Sequence, residues 1–309
     1  MSNCPPWKLF KPNFIFDLRS HKKSDTNPLL IQQNFAEIKS RFPEYSFVYT
    51  DGSKDGEKVA CAAVLGDRKA TERLPSNASI FTAEARAIML ALKLIETSTE
   101  FDFIICSDSL STLLAIKNHK LKNPIILQIL HYIQRLDELG KNVLFFWVPS
   151  HVGIQGNTIV DRVAKETLAA NHISDISLPY SDYRPLIRQY VFKLWQDRWN
   201  GLDHNKLHEI KPDLGAHVFP SGNRKEQVII SRCRIRHSRL THGYLLVGDP
   251  QPECIPCDCP FSIKHVLLDC VDFADKRKFS CDSLFSLFKT VPTAVIIQYL
   301  KDIGLFYKM

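Results

Sequence analysis

The chain has 309 residues, 45% of them hydrophobic and 24% charged, a balance that excludes a disordered or membrane-embedded protein and allows two domains. Its 40 basic and 33 acidic residues leave a net charge of +7, which suits a polyanionic partner without demanding one. No apolar run is long enough to span a bilayer, the start Met1-Ser2-Asn3-Cys4-Pro5-Pro6 lacks a signal peptide's apolar stretch, and nine cysteines is an odd number; together these point to an intracellular protein of nucleus or cytoplasm, not secreted, whose thiols are free or bind metal.

Residues 1–44 read as a loosely defined lead-in, broken by Pro5, Pro6, Pro12 and Pro28. A strand over 45–50 is expected to run into Asp51 and a turn over 51–57, where Gly52 and Gly56 suit positive φ. Strands over 59–65 and 69–74 complete a meander. Thr82 is a good N-cap for a helix over 83–96, which puts Glu84 in a first turn where the dipole favours a negative charge. A strand over 101–107 ends at Asp108. Helices over 109–117 and 125–139 follow, the second opened by Pro124 and closed by Gly140. A strand over 143–148 and a helix over 156–170 close the pattern. The order is three strands, a helix, a strand, two helices, a strand and a helix. It predicts an α/β fold: a mixed five-stranded sheet in βββαβαβα order with helices on both faces. Ligands in such sheets bind beyond the carboxyl ends of the parallel strands, where Asp51 and Asp108 are both expected.

The second half changes character. Residues 173–222 read as a linker, marked by Pro179 and Pro185, and an aromatic helix. Tyr190, Leu194, Trp195, Trp199 and Leu202 recur at helical spacing and are expected to form a packing face. Residues 223–309 read as a smaller, mostly helical region. It opens with a basic helix over 223–246 carrying Arg224, Lys225, Arg232, Arg234, Arg236 and Arg239, and a Cys/His segment follows.

Four acidic residues stand out because each lies at the edge of an apolar element: Asp51, Glu84, Asp108 and Asp161. Burying a lone carboxylate costs several kcal/mol unless it is paired or binds a cation. Carboxylates brought together also raise one another's pKa, and divalent cations remove that conflict.

The order Asp, Glu, Asp, Asp, with Tyr49-Thr50-Asp51-Gly52-Ser53 at the first and Ser150-His151-Val152-Gly153-Ile154-Gln155-Gly156-Asn157 before the last, resembles type 1 ribonuclease H. It looks most like the ribonuclease H domains of insect-type non-LTR retrotransposon polyproteins, over about residues 45–170, which implies a ribonuclease H domain over 45–172. The resemblance implies a ribonuclease H-like fold and hydrolysis of the RNA strand of an RNA–DNA hybrid. It implies two Mg²⁺ ions (Mn²⁺ substituting) about 3.5–4 Å apart, no small-molecule cofactor, no membrane and a reverse transcriptase module in a longer polyprotein. In the family pattern Asp51 would bridge both ions, Glu84 and Asp108 complete one side and Asp161 the other, with His151 serving proton transfer or product release. Ser53 stands where proofreading exonucleases carry glutamate, and Asp161 where integrases carry glutamate, so the sister activities fit less well. The sequence departs from retroelement relatives at Thr158 and Val160, where glutamate and alanine are usual. The 2′-hydroxyls that distinguish RNA would be read around Gly52-Ser53, Asn77 and Ser109. Phosphate contacts are expected from the basic helix, at Arg232 and Arg236, with His237 and His242 nearby. The alternative is a weak or inactive nucleic-acid-binding remnant with a zinc-stabilised tail.

Cys254-x2-Cys257-x7-His265-x4-Cys270 has the ligand types and paired spacing of a closed structural zinc site, with Cys259 as an alternative third thiolate. Many retrotransposon polyproteins carry a similar segment after ribonuclease H.

Overall fold

The structure, a computed structural model, describes residues 11–20, 26–119, 122–202, 205–215 and 221–309. The chain divides into two compact units, Met1–Pro185 and Leu186–Met309.

The first unit is an α/β layer structure. Its strands are β1 (Asn13–Ile15), β2 (Ser46–Asp55), β3 (Lys58–Leu65), β4 (Arg68–Leu74), β5 (Asp102–Ser107) and β6 (Asn142–Trp147). They form one mixed sheet in the order β1-β6-β5-β2-β3-β4. β1, β6, β5 and β2 run parallel, while β2, β3 and β4 form the antiparallel meander. The helices are α1 (Pro28–Ser40), α2 (Ile80–Glu96), α3 (Leu110–Lys117), α4 (Pro124–Glu138) and α5 (Gln155–Thr167).

Side chains alternate across the sheet with the period of two that a pleated strand imposes. Val48, Phe103, Ile105 and Phe145 pack in one core with α2 and α4. Ile104, Cys106 and Phe146 pack in another with Ile31, Phe35 and Ile38 of α1. Ala62 and Val64 of β3 meet Val160, Val163 and Ala164 of α5. The apolar run Val59–Leu65 is thus covered on both faces.

Several expectations are corrected. The sheet has six strands rather than five, because the lead-in contributes β1, whose Phe14 stacks on Phe145 at 5.2 Å. The lead-in also holds α1, started by Asn27, whose side chain accepts from the Leu29 N–H, and by Pro28 at the first helical position. β2 does not stop at Asp51. It continues to Asp55, paired residue by residue with β3, and the turn falls at Gly56, whose φ is +55°. Helix α2 begins at Ile80 with Ser79 as its cap, so Glu84 lies in the second turn, not the first.

In the second unit, helix α6 (Tyr180–Asn200, crossing the unit boundary) precedes α7 (Lys206–Ile210), α8 (Arg224–Ile235), α9 (Arg239–His242) and α10 (Tyr244–Val247). A two-stranded hairpin of β7 (Glu253–Cys254) and β8 (Cys259–Pro260) comes next, then α11 (Leu284–Thr290) and α12 (Thr293–Asp302). Ile230, Val266, Leu267, Leu287 and Leu300 centre its core. The expected single basic helix is broken: Arg236 takes a left-handed conformation (φ +56°) and ends α8. The aromatic stripe of α6 is not a core face. Tyr190, Leu194, Trp195 and Leu202 are exposed, and only Trp199 is half-buried, donating from Nε1 to the Lys211 carbonyl at 2.9 Å. Among the described residues no helix is long and apolar enough to cross a membrane.

Candidate active site

The parallel pairing of β2 with β5 ends at Thr50 and Ser107. Asp51 comes next on β2, still paired with β3, and Asp108 just past the end of β5, so the two residues sit side by side where the parallel pairing stops. Glu84 reaches the same point from α2. Gly52 makes that approach feasible: a Cβ there would stand 2.7 Å from the Glu84 nitrogen and 3.0 Å from the Ala83 carbonyl carbon. One oxygen each of Asp51, Glu84 and Asp108 lies within 4.8 Å of the others.

Burial and mutual repulsion dominate the electrostatics. Asp51 is 5% exposed and Glu84 7%. Burial first, then the charges of Asp108 and Asp161, push the Asp51 carboxyl up to about 7, against the opposing pull of Lys165 and the Gly52 amide. Burial, then Asp108 and Asp51, push Glu84 well above the usual carboxylate range. Asp108 is raised by burial and by Asp161, and held back by a hydrogen bond from Asn157 and the charge of His151. Glu84 Oε2 is buried with no hydrogen-bond partner. A cluster of anionic oxygens with an orphaned buried atom has the donor chemistry of a hard divalent cation site.

Asp161 stands beside this trio on α5. It is close enough to raise Asp51 and Asp108, but its carboxylate is paired with Lys165 Nζ at 2.8 Å. Asn157, Asp161 and Lys165 follow one another at four-residue intervals and so share one helix face. Asn157 is 4% exposed, and its amide holds the Asp108 carboxyl down against the other causes. Its sequence signal is its position four residues before Asp161. His151 is exposed, in a loop with left-handed backbone at His151 (φ +55°) and Gly153 (φ +84°), and its charge reaches Asp108.

The other singled-out residues are more scattered. Ser53 is half-buried on β2, paired with Ala60. Asn77 is exposed in the turn before α2. The Ser109 N–H donates to the Ser107 hydroxyl, and its own hydroxyl lies 2.8 Å from that of Thr112. Arg232 donates to the Met309 carbonyl at 2.8 Å and Arg236 pairs with Glu209, so both guanidinium groups are engaged within the second unit. His237 and His242 stack at 3.6 Å.

In that unit, Cys254, Cys257, His265 and Cys270 each offer a ligand atom within 4.8 Å of the others. The β7 hairpin and a 3-10 turn with Asp258 left-handed (φ +46°) turn the two halves of the Cys-x2-Cys together. His265 opens a short π-helical turn that ends against Cys270. Cys254 and Cys270 Sγ are 3.8 Å apart, much longer than a disulfide bond. Two thiolates at ~2.3 Å on a tetrahedral ion stand about 3.8 Å apart. Cys259 Sγ sits 3.4 Å from His265 Nδ1, outside the four.

Residues 43–169 match the family model RNase H. The chain has no match among curated proteins. Among solved structures it resembles the crystal structure of RNase H1 from the halophilic archaeon Halobacterium salinarum NRC-1, with 21% identity over 40% of this chain and 97% of that one and a TM-score of 0.34. The family match thus covers residues 43–169, the stretch that carries β2 to β6 and helices α2 to α5.

Proposed function

We propose that this domain hydrolyses the RNA strand of RNA–DNA hybrids. The observation that carries the reading is the convergence of Asp51, Glu84 and Asp108 at the carboxyl edge of the parallel strands, with a buried Glu84 oxygen left unpartnered. Asp51, Glu84, Asp108 and, beside them, Asp161 are the residues that would hold the divalent ions, Mg²⁺ or Mn²⁺. Such ions supply an activated water and charge stabilisation at the leaving oxygen. The chain's own groups do the rest. Asn157, buried beside Asp108, favours the ionised form of its carboxyl. Lys165 neutralises Asp161 until a cation takes that role. His151, exposed at the rim, is free to move a proton to or from the scissile phosphate region. Ser53, Asn77 and Ser109 border the site and suit contacts to the 2′-hydroxyl strand.

The departures from the retroelement pattern are compatible with activity. Val160 is fully buried against Ala62 and Val64, and the Thr158 hydroxyl bonds the Ile154 carbonyl at 3.2 Å, so neither disturbs the carboxylates. The motifs support descent from a non-LTR retrotransposon polyprotein, with a reverse transcriptase module as the natural partner. In the second unit, Cys254, Cys257, His265 and Cys270 are the residues that would hold a structural zinc ion, with Cys259 outside the ligand set.

The test is cleavage of a hybrid labelled on its RNA strand, with Mg²⁺ and with EDTA. Metal-dependent RNA cleavage that is lost in Asp51→Asn supports the reading. Binding of the hybrid with no cleavage in any divalent ion would favour a binding remnant.

A further inference from the structure

Helix α1 lies outside the segment 43–169 that matches the family model, yet it touches the His151 loop. Gln32 Nε2 donates to the Val152 carbonyl at 2.8 Å. A Cβ on Gly153 would stand 2.4 Å from that same nitrogen. The glutamine amide therefore fills the space that a side chain at 153 would take. The loop needs such support. His151 and Gly153 both have left-handed backbone, and for a non-glycine residue that conformation costs about 1–2 kcal/mol and persists only where the surroundings impose it. Val152 and Ile154 supply part of the hold by inserting into the core with Ile31, Phe35 and Ile38 of α1. The Gln32 hydrogen bond fixes the carbonyl of Val152, the residue between the two left-handed ones.

We propose that Gln32 is a positioning residue for His151, so that a helix outside the ribonuclease H domain sets how well the histidine is placed. The proposal rests on the nuclease reading for its kinetic consequence. Its structural part stands without it. Gln32 touches none of the carboxylates; it acts through the Val152 backbone.

The decisive variant is Gln32→Met, which keeps the length and loses the donor; Gln32→Glu is a second that also lacks an N–H. Both should lower kcat about tenfold, a fraction of the 10²–10⁴ that general acid–base groups contribute, with KM for the hybrid changed less than about twofold. In a double-mutant cycle with His151→Ala, Gln32→Met should add no further slowing, because the residue it positions is gone. Hydrogen exchange of the 150–153 amides should be faster in Gln32→Met while the strand amides of β2 and β5 stay protected. An unchanged kcat in a folded variant, or slowing that adds fully to that of His151→Ala, overturns the kinetic proposal. If the unsubstituted chain cleaves no hybrid, the nuclease reading fails first, and the exchange measurement still decides the brace: unchanged 150–153 protection overturns it.

Discussion

Asp182 holds the residue that starts helix α2. Its carboxylate, 6% exposed, accepts from the Ser79 N–H at 3.0 Å and from the Ser79 hydroxyl at 2.9 Å. Ser79 in turn caps α2 by accepting from the Thr82 N–H at 3.2 Å. A residue past the end of the family match thus fixes the helix that carries Glu84. Replacing Asp182 with alanine leaves the half-buried Ser79 N–H and hydroxyl without their acceptor at a helix cap. The expected loss is about 1–3 kcal/mol of first-unit stability, read by denaturant unfolding. Glu84 should lose placement with it, so kcat should fall more than hybrid binding. A variant as stable as the original would mean that the cap is dispensable.

The raised carboxyl of Asp51 makes a pH prediction. A group whose folded pKa is near 7 and whose ordinary value is 3.8 binds its proton more tightly in the folded state. Its contribution to stability is therefore full below about pH 4 and is lost as pH rises through about 7. Without divalent ions, thermal stability should fall from pH 4 to 7 through this group, and Asp51→Asn should flatten that fall while abolishing cleavage. Added Mg²⁺ should raise the melting temperature at neutral pH in the original and far less in Asp51→Asn. Calorimetry across pH, with and without Mg²⁺, checks both statements.

Gly52→Ala should separate α2 from β2. The new methyl would meet the Glu84 nitrogen at 2.7 Å, and backbone cannot swing aside as a flexible side chain can. Overpacking of this kind costs about 1–3 kcal/mol. The fold should survive, since the rest of the core is large, but Glu84 should move and cleavage should drop sharply. A melting temperature and a rate both within error of the original would contradict the close packing.

The Cys/His cluster predicts one zinc per chain and selective loss of the second unit on chelation. The two units have separate apolar cores, so far-UV signal from the first should persist after EDTA or after Cys257→Ser. Cys259→Ser should retain the metal. Elemental analysis of freshly purified protein settles the stoichiometry, and equal zinc loss in Cys257→Ser and Cys259→Ser would mean the ligand set is misassigned.

His151→Ala should slow turnover by about 10²-fold and leave Mg²⁺ binding unchanged, since the histidine sits outside the carboxylate trio. Single-turnover rates and calorimetric Mg²⁺ titration separate the two effects.

What could be read in the sequence was what local pattern encodes. Alternation and turn residues located β3, β4, β5 and β6 to within a residue or two, and the Cys-x2-Cys spacing pointed to the second cluster. The misreadings share a cause. β1 is three residues long and gains its order only by pairing with β6, a partner about 130 positions away. Thr82 looked like the cap of α2 because the carboxylate that selects Ser79 comes from Asp182, 103 residues on. The break at Arg236 carries neither glycine nor proline, so no local signal marks it. Asp51 looked like a strand terminus because a carboxylate and a glycine follow an apolar run. Pairing with β3 overrides that local preference and carries the strand on to Asp55.

That uninterrupted pairing ties the site to a register. From Val48 to Asp55 every residue of β2 has a fixed partner on β3, and the hairpin closes at Gly56. Because side chains alternate faces, one residue inserted between Val48 and Asp51 turns the carboxylate to the opposite side of the sheet and shifts the strand's register against its partners. The same residue inserted at Gly56 only lengthens a surface turn. Two insertions within a few residues of one another, identical in composition, should therefore part company: the one at Gly56 leaves the carboxylates facing one another, and the one before Asp51 turns Asp51 away.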